Sequence, residues 1–175
     1  MKIIKTKFQG LKVIKHFRNI DKRGSLRETF NKKIINWENF VFEYNTLSKK
    51  NVLRGFHFQH KNQQAKLITV LRGKIFDCVI DLRKNSKTFG KYFSIILSEK
   101  NCTSLFIPKG FAHAYYSYEK LNIIYYKLSD YYKPGYEDGI IWNDKNFKIN
   151  WPTKKPLLST KDKNHQTFET YLKRY

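Results

Sequence analysis

Two histidines lie in apolar, aromatic segments whose residues could carry out proton transfer. His57 stands in Val-Leu-Arg-Gly-Phe-His-Phe-Gln at 52–59, and His113 ends Ile-Pro-Lys-Gly-Phe-Ala-His at 107–113. A histidine side chain titrates near neutral pH and can therefore remove or return a proton under physiological conditions. The nearby cations Arg54 and Lys66 suit a phosphorylated or oxyanionic ligand. These segments favour acid–base chemistry on an anionic small molecule.

Such chemistry needs three further kinds of group. A histidine base needs a carboxylate that orients its ring and stabilises the imidazolium. An enolate needs a cation or hydrogen-bond donors at its oxygen. Returning the proton to the opposite face needs a separate acid, and tyrosine is suited to that role. The sequence holds candidates for each role, but spacing alone does not pair them.

A metal site is the alternative use of these histidines. His57 and His60, followed by Pro108-x-Gly110-x-x-His113, partly resemble the ligands of a metal-binding cupin. Such sites usually add a carboxylate from a neighbouring strand, yet no Asp or Glu lies between His60 and Gly73. Lys66 stands there instead, and its ammonium would repel a divalent cation. We therefore expect no metal and no cofactor. His16, His60 and His165 are expected to be solvated.

The elements that must position these residues are short strands. Turn signals separate β-type runs at 41–45, 53–59, 65–71, 74–81, 92–97, 104–107, 113–118 and 123–128. Short strands at this spacing predict an all-β sandwich or barrel. A short helix is predicted over 167–175, with Phe168, Tyr171 and Leu172 on its apolar face. The length of 175 residues predicts a single domain over 1–175.

Strand alternation adds some geometry. Over 74–81, Asp77 shares a face with Ile75 and Val79, so it is expected either in a pocket or paired with Arg or Lys. Arg54 and His57 have opposite parity on their strand. They can face one pocket only if the strand is irregular, and Gly55 between them makes a bulge the natural explanation.

Composition sets the class of protein. The formal net charge of +21 could indicate nucleic-acid binding, but the cations are mostly scattered lysines, and no nucleic-acid motif is present. We therefore predict no nucleic-acid partner. Cys78 and Cys102 lie in apolar runs and are expected to be buried, reduced thiols. No apolar run is long enough to span a bilayer, and the N-terminus lacks signal-peptide features. These features predict a soluble cytoplasmic protein.

Several ordered segments resemble one family, the dTDP-4-dehydrorhamnose 3,5-epimerases and their 3-epimerase relatives. The similarity runs from about Arg23 to Asp162. It is carried by Asp21-Lys-Arg-Gly24, the 52–59 segment, Ala65-Lys66-Leu67, the run at 76–83, Ser86-Lys-Thr-Phe-Gly90, the 107–113 segment, Tyr126-Lys127, Tyr132-x-Pro134, Trp142-Asn-Asp144 and Ile149-Asn-Trp-Pro152. The resemblance implies a cupin-like jelly-roll β-sandwich with short peripheral helices, a homodimer and no metal. It also implies proton abstraction at C3 and C5 of a nucleotide-linked 4-keto-6-deoxy sugar.

The resemblance also implies roles for individual residues. His57 would be the general base, Asp162 its orienting carboxylate, Tyr126 the acid for the opposite face, and Lys66 the group that stabilises the enolate. The implied substrate-binding residues are Arg23 and Glu28, which would reach the nucleotide bound by a partner subunit, together with Arg54, His113, Tyr132, which would stack on the base, and Glu137.

The sequence also departs from the family pattern. The substrate-binding positions occupied by Phe42 and Tyr44 carry a Gln-x-Asn pair in the family, the usual His-Gly is His113-Ala114, and the usual Ser-Pro-Thr is Ser86-Lys87-Thr88. These changes leave open a 3-epimerase or an epimerase of another nucleotide-linked keto sugar or heptose. A non-catalytic ligand-binding cupin is the alternative from a different class.

Overall fold

The computed structural model describes residues 1–175, and it confirms the all-β prediction. Thirteen strands, one 3₁₀ turn at Pro134–Tyr136 and two short helices make up the regular structure. The strands are β1 Lys2–Lys5, β2 Lys12–Lys15, β3 Arg18–Asp21, β4 Gly24–Arg27, β5 Phe42–Ser48, β6 Leu53–Gln59, β7 Lys66–Arg72, β8 Lys74–Asp81, β9 Tyr92–Ser98, β10 Thr103–Ile107, β11 Phe111–Ser117, β12 Asn122–Leu128 and β13 Glu137–Gly139. The helices are α1 Thr160–Lys163 and α2 Phe168–Arg174.

Two antiparallel sheets pack face to face. The six-stranded sheet has the order β1-β2-β10-β7-β12-β5, and the five-stranded sheet has the order β13-β6-β11-β8-β9. Between them lies a core to which both sheets contribute, with Ile68 and Ile124 from the first and Ile75, Val79 and Leu97 from the second. This arrangement is a cupin-like sandwich, as the sequence predicts. A separate two-stranded hairpin is formed by β3 and β4.

The outer face of each sheet is also covered. Helix α2 lies over the five-stranded sheet, where Phe168 and Tyr171 pack with Cys78 and Ile80. This confirms the alternation predicted for β8, because Ile75 and Val79 belong to the inner core. The segment before β5 covers the other sheet, with Ile35 packed among its buried side chains. No helix is long and apolar enough to cross a membrane.

The eight predicted strands and the C-terminal helix are all present. Strands β6 and β8 have the predicted ends, and the ends of the other elements shift by up to three residues. The first predicted strand, at 41–45, extends to Ser48 in β5. Strands β1 to β4 and β13 were missed because they are only three or four residues long, too short to show a clear apolar alternation. Both cysteines are buried and free, as predicted.

Candidate active site

A cavity of about 370 Å³ opens between the two sheets and receives side chains from both of them. The six-stranded sheet contributes β5, β7 and β12, and the five-stranded sheet contributes β6, β11 and β13. Most of the predicted site residues line the cavity: Phe42, Tyr44, Arg54, His57, Lys66, His113, Tyr126, Tyr132 and Glu137. The structure therefore gathers into one place residues that are up to 95 positions apart, from 42 to 137.

His57 is held by a buried carboxylate behind it. Its Nε2 lies 2.6 Å from Oδ1 of Asp162, which is 3% exposed although it follows a polar segment. Asp162 also accepts hydrogen bonds from the Ser159 hydroxyl at 2.8 Å and from the Gly55 amide at 3.3 Å. Burial alone would raise the pKa of Asp162, but the hydrogen bond and charge of His57, with these further donors, lower it to about 2. The carboxylate therefore stays ionised and leaves Nδ1 of His57 free for proton transfer.

A bulge in β6 turns Arg54 and His57 toward the same cavity. His57 pairs with His113 and Arg54 pairs with Tyr115, so three steps along β6 match two steps along β11. Gly55 sits inside this bulge with a φ of +112°, and a Cβ there would lie 2.4 Å from the carbonyl oxygen of His113. The bulge expected from the sequence is thus confirmed, and only glycine fits it.

Lys66 places an ammonium inside the cavity. Its side chain is 9% exposed, so it is not a surface cation. Burial lowers its pKa to about 8, and the charges of Glu137 and Asp77 partly oppose this effect. A buried ammonium attracts an oxyanion more strongly than an exposed one because water screens it less. Lys66 is therefore suited to stabilise negative charge on a ligand oxygen.

Tyr126 comes from the sheet opposite His57. It is 4% exposed, and burial, with Tyr115 and Tyr44 nearby, raises its pKa well above the usual value. The phenol therefore remains protonated throughout the physiological range. The ring of His113 lies edge-on to it, with centroids 6.1 Å apart. This geometry leaves a proton donor and a potential base on opposite walls of one cavity.

His113 forms a second histidine–carboxylate pair. Its Nε2 lies 2.8 Å from Oδ2 of Asp77, and both side chains are almost fully buried. Asp77 was expected to face a pocket or to pair with Arg or Lys. It pairs with histidine instead, because His113 lies on the neighbouring strand β11, close to the position where β8 presents Asp77.

At the mouth of the cavity, Glu137 connects two side chains. Its Oε2 accepts a hydrogen bond from the Tyr132 hydroxyl at 2.6 Å and forms an ion pair with Lys161. The hydrogen bond raises the pKa of Tyr132 to about 12. The ring of Tyr132 is 49% exposed, so one face remains open to a ligand. Lys161 was missed at the sequence level, although it directly precedes Asp162 and this adjacency was the available signal.

Arg23 and Glu28 lie outside this cavity. Arg23 sits at the tip of the β3–β4 hairpin, where it forms an exposed ion pair of 2.7 Å with Asp21. Glu28 is exposed and accepts a hydrogen bond from Asn31 at 3.3 Å. The structure does not bring these two residues to the site of their own chain.

None of the three histidines expected to be solvated is fully exposed. His16 is 7% exposed and bonds to the Ser104 hydroxyl at 2.7 Å, because β2 lies beside β10 in the sheet. His165 is half-buried, and both of its ring nitrogens are enclosed without a partner. Its ring lies 5.2 Å from that of His57 and against Gly139, where a Cβ would come within 2.0 Å of Nδ1. His60 also has a buried, unpartnered Nδ1.

His57, Asp162 and His165 are the side chains that could hold a metal ion, since their ligand atoms lie within 4.8 Å of one another. Two imidazoles and a carboxylate are ligands that Zn²⁺ accepts. The closest of these atoms, on His57 and Asp162, already form a 2.6 Å hydrogen bond that a metal would have to break. The absence of a metal therefore stays a prediction.

Comparisons with known proteins point to one family. A family model described as dTDP-4-dehydrorhamnose 3,5-epimerase matches residues 5–170. The chain is 40% identical over 171 residues to the dTDP-4-dehydrorhamnose 3,5-epimerase of Methanothermobacter thermautotrophicus, over 93% of this chain and 92% of that protein. The crystal structure of dTDP-4-dehydrorhamnose 3,5-epimerase from Bacillus anthracis, with TDP and PPi bound, has a TM-score of 0.91 at 37% identity, over 95% of this chain and 98% of that one. The dTDP-6-deoxy-D-glucose-3,5-epimerase of Legionella pneumophila, in complex with dTDP-4-keto-L-rhamnose, also has a TM-score of 0.91, at 36% identity over 96% and 93% of the two chains.

The chain belongs to the dTDP-4-dehydrorhamnose 3,5-epimerase family. The departures from the family pattern fall in different parts of the structure. Phe42 and Tyr44 lie on the cavity wall, where they bear on ligand recognition. Ala114 is buried beneath the β6 bulge, close to Gly55. Ser86 and Thr88 both donate hydrogen bonds of 2.6 Å to Asp81, so the Lys87 change lies in a structural turn.

A polar network at the inner end of the cavity also escaped sequence-based prediction. The hydroxyl of Tyr115 lies 2.9 Å from that of Thr46 and 2.8 Å from that of Ser48. Ser48 in turn accepts a hydrogen bond of 3.2 Å from the Arg54 guanidinium. Hydroxyl groups of this kind are common in strands, so nothing in the sequence singled them out. In this member of the epimerase family they hold Arg54 over the cavity.

Proposed function

We propose that the protein epimerises a dTDP-linked 4-keto-6-deoxy sugar at C3 and C5, converting dTDP-4-dehydro-6-deoxyglucose to dTDP-4-dehydrorhamnose. The observation that carries this proposal is the pairing of a carboxylate-supported base, His57, with a protonated phenol, Tyr126, from the opposite sheet. A site that only binds a ligand has no need for a proton donor facing a base. Family membership supports the same reaction class.

The proposed mechanism assigns one step to each group. Nδ1 of His57 removes the proton at a carbon next to the C4 ketone, while Asp162 stabilises the imidazolium that forms. The electron pair moves onto the ketone oxygen, where the Lys66 ammonium stabilises the enolate. Tyr126 then donates its proton to the other face of the same carbon. The electron pair re-forms the ketone, and the configuration at that carbon is inverted.

The remaining cavity residues suit the nucleotide part of the substrate. Arg54 presents an exposed guanidinium held by Ser48, which fits a pyrophosphate oxygen. Tyr132 offers an exposed aromatic face for stacking on the base, and Glu137 fixes its hydroxyl. We assign His113 to contact with the sugar, with Asp77 orienting its ring.

The proposal includes a homodimer in which Arg23 and Glu28 contact the nucleotide bound by the other subunit. The hairpin that carries Arg23 exposes large apolar side chains, Ile20 at 74% and Leu26 at 69%, and Phe17, just before β3, is 73% exposed. Adjacent exposed apolar residues of this size are typical of protein interfaces. This exposed hairpin therefore supports the proposed homodimer, in which it would form an arm that packs on the partner.

Proton NMR of dTDP-4-keto-6-deoxyglucose incubated with the protein in heavy water tests the proposal. We expect loss of the C3 and C5 proton signals, and no loss with His57→Ala. His60→Ala is the matched control, because that histidine lies outside the proposed machinery, and it should retain exchange. Exchange at C3 alone would restrict the activity to 3-epimerisation. Saturable binding of the sugar nucleotide without any proton exchange would indicate a ligand-binding protein and not an enzyme.

A further inference from the structure

Two tyrosines on neighbouring strands form a parallel stack in the cavity wall. Tyr44 on β5 is the register partner of Tyr126 on β12. Their ring centroids are 4.8 Å apart, and the ring planes differ by 18°. Cross-strand partners with this separation have their side chains on the same face of the sheet, so both rings face the same cavity.

The other neighbours of Tyr126 hold its ring without a hydrogen bond. Its second aromatic contact is the edge of His113, at 6.1 Å and 66°, and its ring also belongs to the inner core cluster. Its hydroxyl has no hydrogen-bond partner within the protein, in contrast to Tyr115, whose hydroxyl contacts both Thr46 and Ser48. The direction of the Tyr126 phenol is therefore set by ring packing and not by a hydrogen bond.

Two further aromatic rings extend the stack beyond Tyr44. Phe42 packs on it with centroids 5.7 Å apart, and Tyr131 packs on Phe42 at 6.1 Å. These rings form a continuous aromatic wall that ends at Tyr126. Two of its members, Phe42 and Tyr44, occupy the positions at which the family pattern has Gln and Asn. An amide at position 44 could not stack on a phenol over the same area.

We infer that Tyr44 is a positioning residue that holds the Tyr126 phenol in the direction required for proton donation, and thereby controls how often the enolate is inverted. The inference rests on the proposed function. A poorly aimed Tyr126 would leave the enolate to recapture a proton from His57 on the original face. The sugar would then exchange its proton with solvent without changing configuration.

The first test compares inversion with exchange in heavy water. For each carbon, the amount of epimerised product is divided by the amount of deuterated but uninverted substrate. We expect Tyr44→Asn to lower this ratio roughly tenfold, less than the roughly 10²-fold or greater loss expected for removing a general acid in Tyr126→Phe. Tyr44→Phe, whatever its effect on substrate affinity, should keep the ratio, since a phenyl ring also stacks.

Two outcomes would overturn the inference. An unchanged ratio in Tyr44→Asn would show that Tyr126 is held without the stack. A loss in Tyr44→Phe equal to that in Tyr44→Asn would assign the effect to the Tyr44 hydroxyl. Proton exchange at the substrate's C3 and C5 by the wild-type protein tests the proposed function separately, because this exchange is detected whatever the ratio of inversion to exchange.

A second measurement needs no turnover. NMR spectra of protein with ring-¹³C-labelled tyrosine, with Tyr126→Phe to assign the signals, report how freely the Tyr126 ring flips. We expect separate signals for the two ring edges in the wild type and in Tyr44→Phe, and one averaged signal in Tyr44→Asn. Identical flipping in all three proteins would contradict a positioning role even if the natural substrate were a different sugar. Thermal melting of each variant checks that the fold is retained.

Discussion

Lys66 is a buried cation whose protonation should control the reaction. Burial lowers its pKa from 10.5 to about 8. The folded protein thus releases this proton at a lower pH than the unfolded chain does. Above about pH 8 the side chain is neutral and can no longer stabilise an enolate oxygen by its charge.

We expect kcat/KM for proton exchange to fall as pH rises through about 8. Lys66→Arg keeps a positive charge to much higher pH, so its rate, whatever its size, should not fall over this range. The measurement is the initial rate of deuterium uptake from pH 6 to 10 for both proteins. If the rate of Lys66→Arg falls over the same alkaline pH range as the wild-type rate, another group causes the decline.

Asp162 should stabilise the fold as well as the base. Its pKa in the folded protein, about 2, lies below the usual 3.8. A lowered carboxyl pKa adds stability that is fully present above about pH 4 and is lost as pH falls toward 2. The size of this contribution is on the order of 2 kcal/mol, from 1.36 kcal/mol per pKa unit over the shift from 3.8 to about 2.

We therefore expect Asp162→Asn to be less stable than the wild type at pH 6 and to converge with it as pH approaches 2. Urea unfolding at several pH values measures the difference. Asp21→Asn is the control, because that carboxylate forms an exposed ion pair and should contribute little. A stability gap for Asp162→Asn that does not depend on pH would argue against an ionised, hydrogen-bonded carboxylate.

Among the elements, β6 departs most from regular geometry, and the site depends on this departure. Its bulge brings Arg54 and His57 into one cavity, and Gly55 allows the strand to approach β11 closely. The same glycine amide donates to Asp162. Gly55 thus links the bulge in β6, the proposed base His57 and the carboxylate of Asp162.

Gly55→Ala is expected to destabilise the protein by more than Gly24→Ala. Both glycines have positive φ, +112° and +131°, but a Cβ at Gly24 meets nothing within 4 Å. Gly24→Ala should cost about 1–2 kcal/mol from backbone strain alone. Gly55→Ala should add roughly 1–3 kcal/mol of overpacking. Thermal and denaturant unfolding of the two variants give the comparison, and equal losses would contradict the close approach at Gly55.

The sequence predicts elements best where the strands are long and buried. Strands β6 and β8 appear at their predicted boundaries because their apolar residues and flanking turns are clear. The hairpin β3–β4 carries mostly exposed residues and β13 is only three residues long, so the pattern that marks a strand is absent from both. For the site, the family resemblance selected the proposed base, acid and cation, and the structure brings His57, Tyr126 and Lys66 to one cavity. Contacts between distant segments, such as His165 with His57 or Lys161 with Glu137, depend on the folded arrangement and could not be read from spacing.

At the scale of the whole molecule, the proposed homodimer makes each site depend on two chains. The hairpin that carries Arg23 projects away from its own cavity and exposes apolar side chains. Arg23→Ala should therefore raise KM without affecting the fold of its own cavity.

Mixing two defective variants, assayed at a substrate concentration well below KM, tests this arrangement. An Arg23→Ala chain retains its own His57, and a His57→Ala chain retains its Arg23. If the arm serves the other subunit, each mixed dimer contains one intact site and one doubly defective site. Random re-association at equal amounts should restore about one quarter of the wild-type activity. No recovery beyond the separate variants would place Arg23 at the site of its own chain, and light scattering checks that the mixture is dimeric.

The hydrogen bond between His57 and Asp162 joins residues 105 positions apart in the chain. On a ribosome that adds roughly 5–20 residues per second, the proposed base is made roughly 5–20 s before the carboxylate that contacts it. Every strand, from β1 to β13, precedes Asp162 in the sequence. A nascent chain can therefore have all of its strands paired while its base is still unsupported. Proton-transfer activity would then be acquired last, when the segment around α1 docks beneath β6.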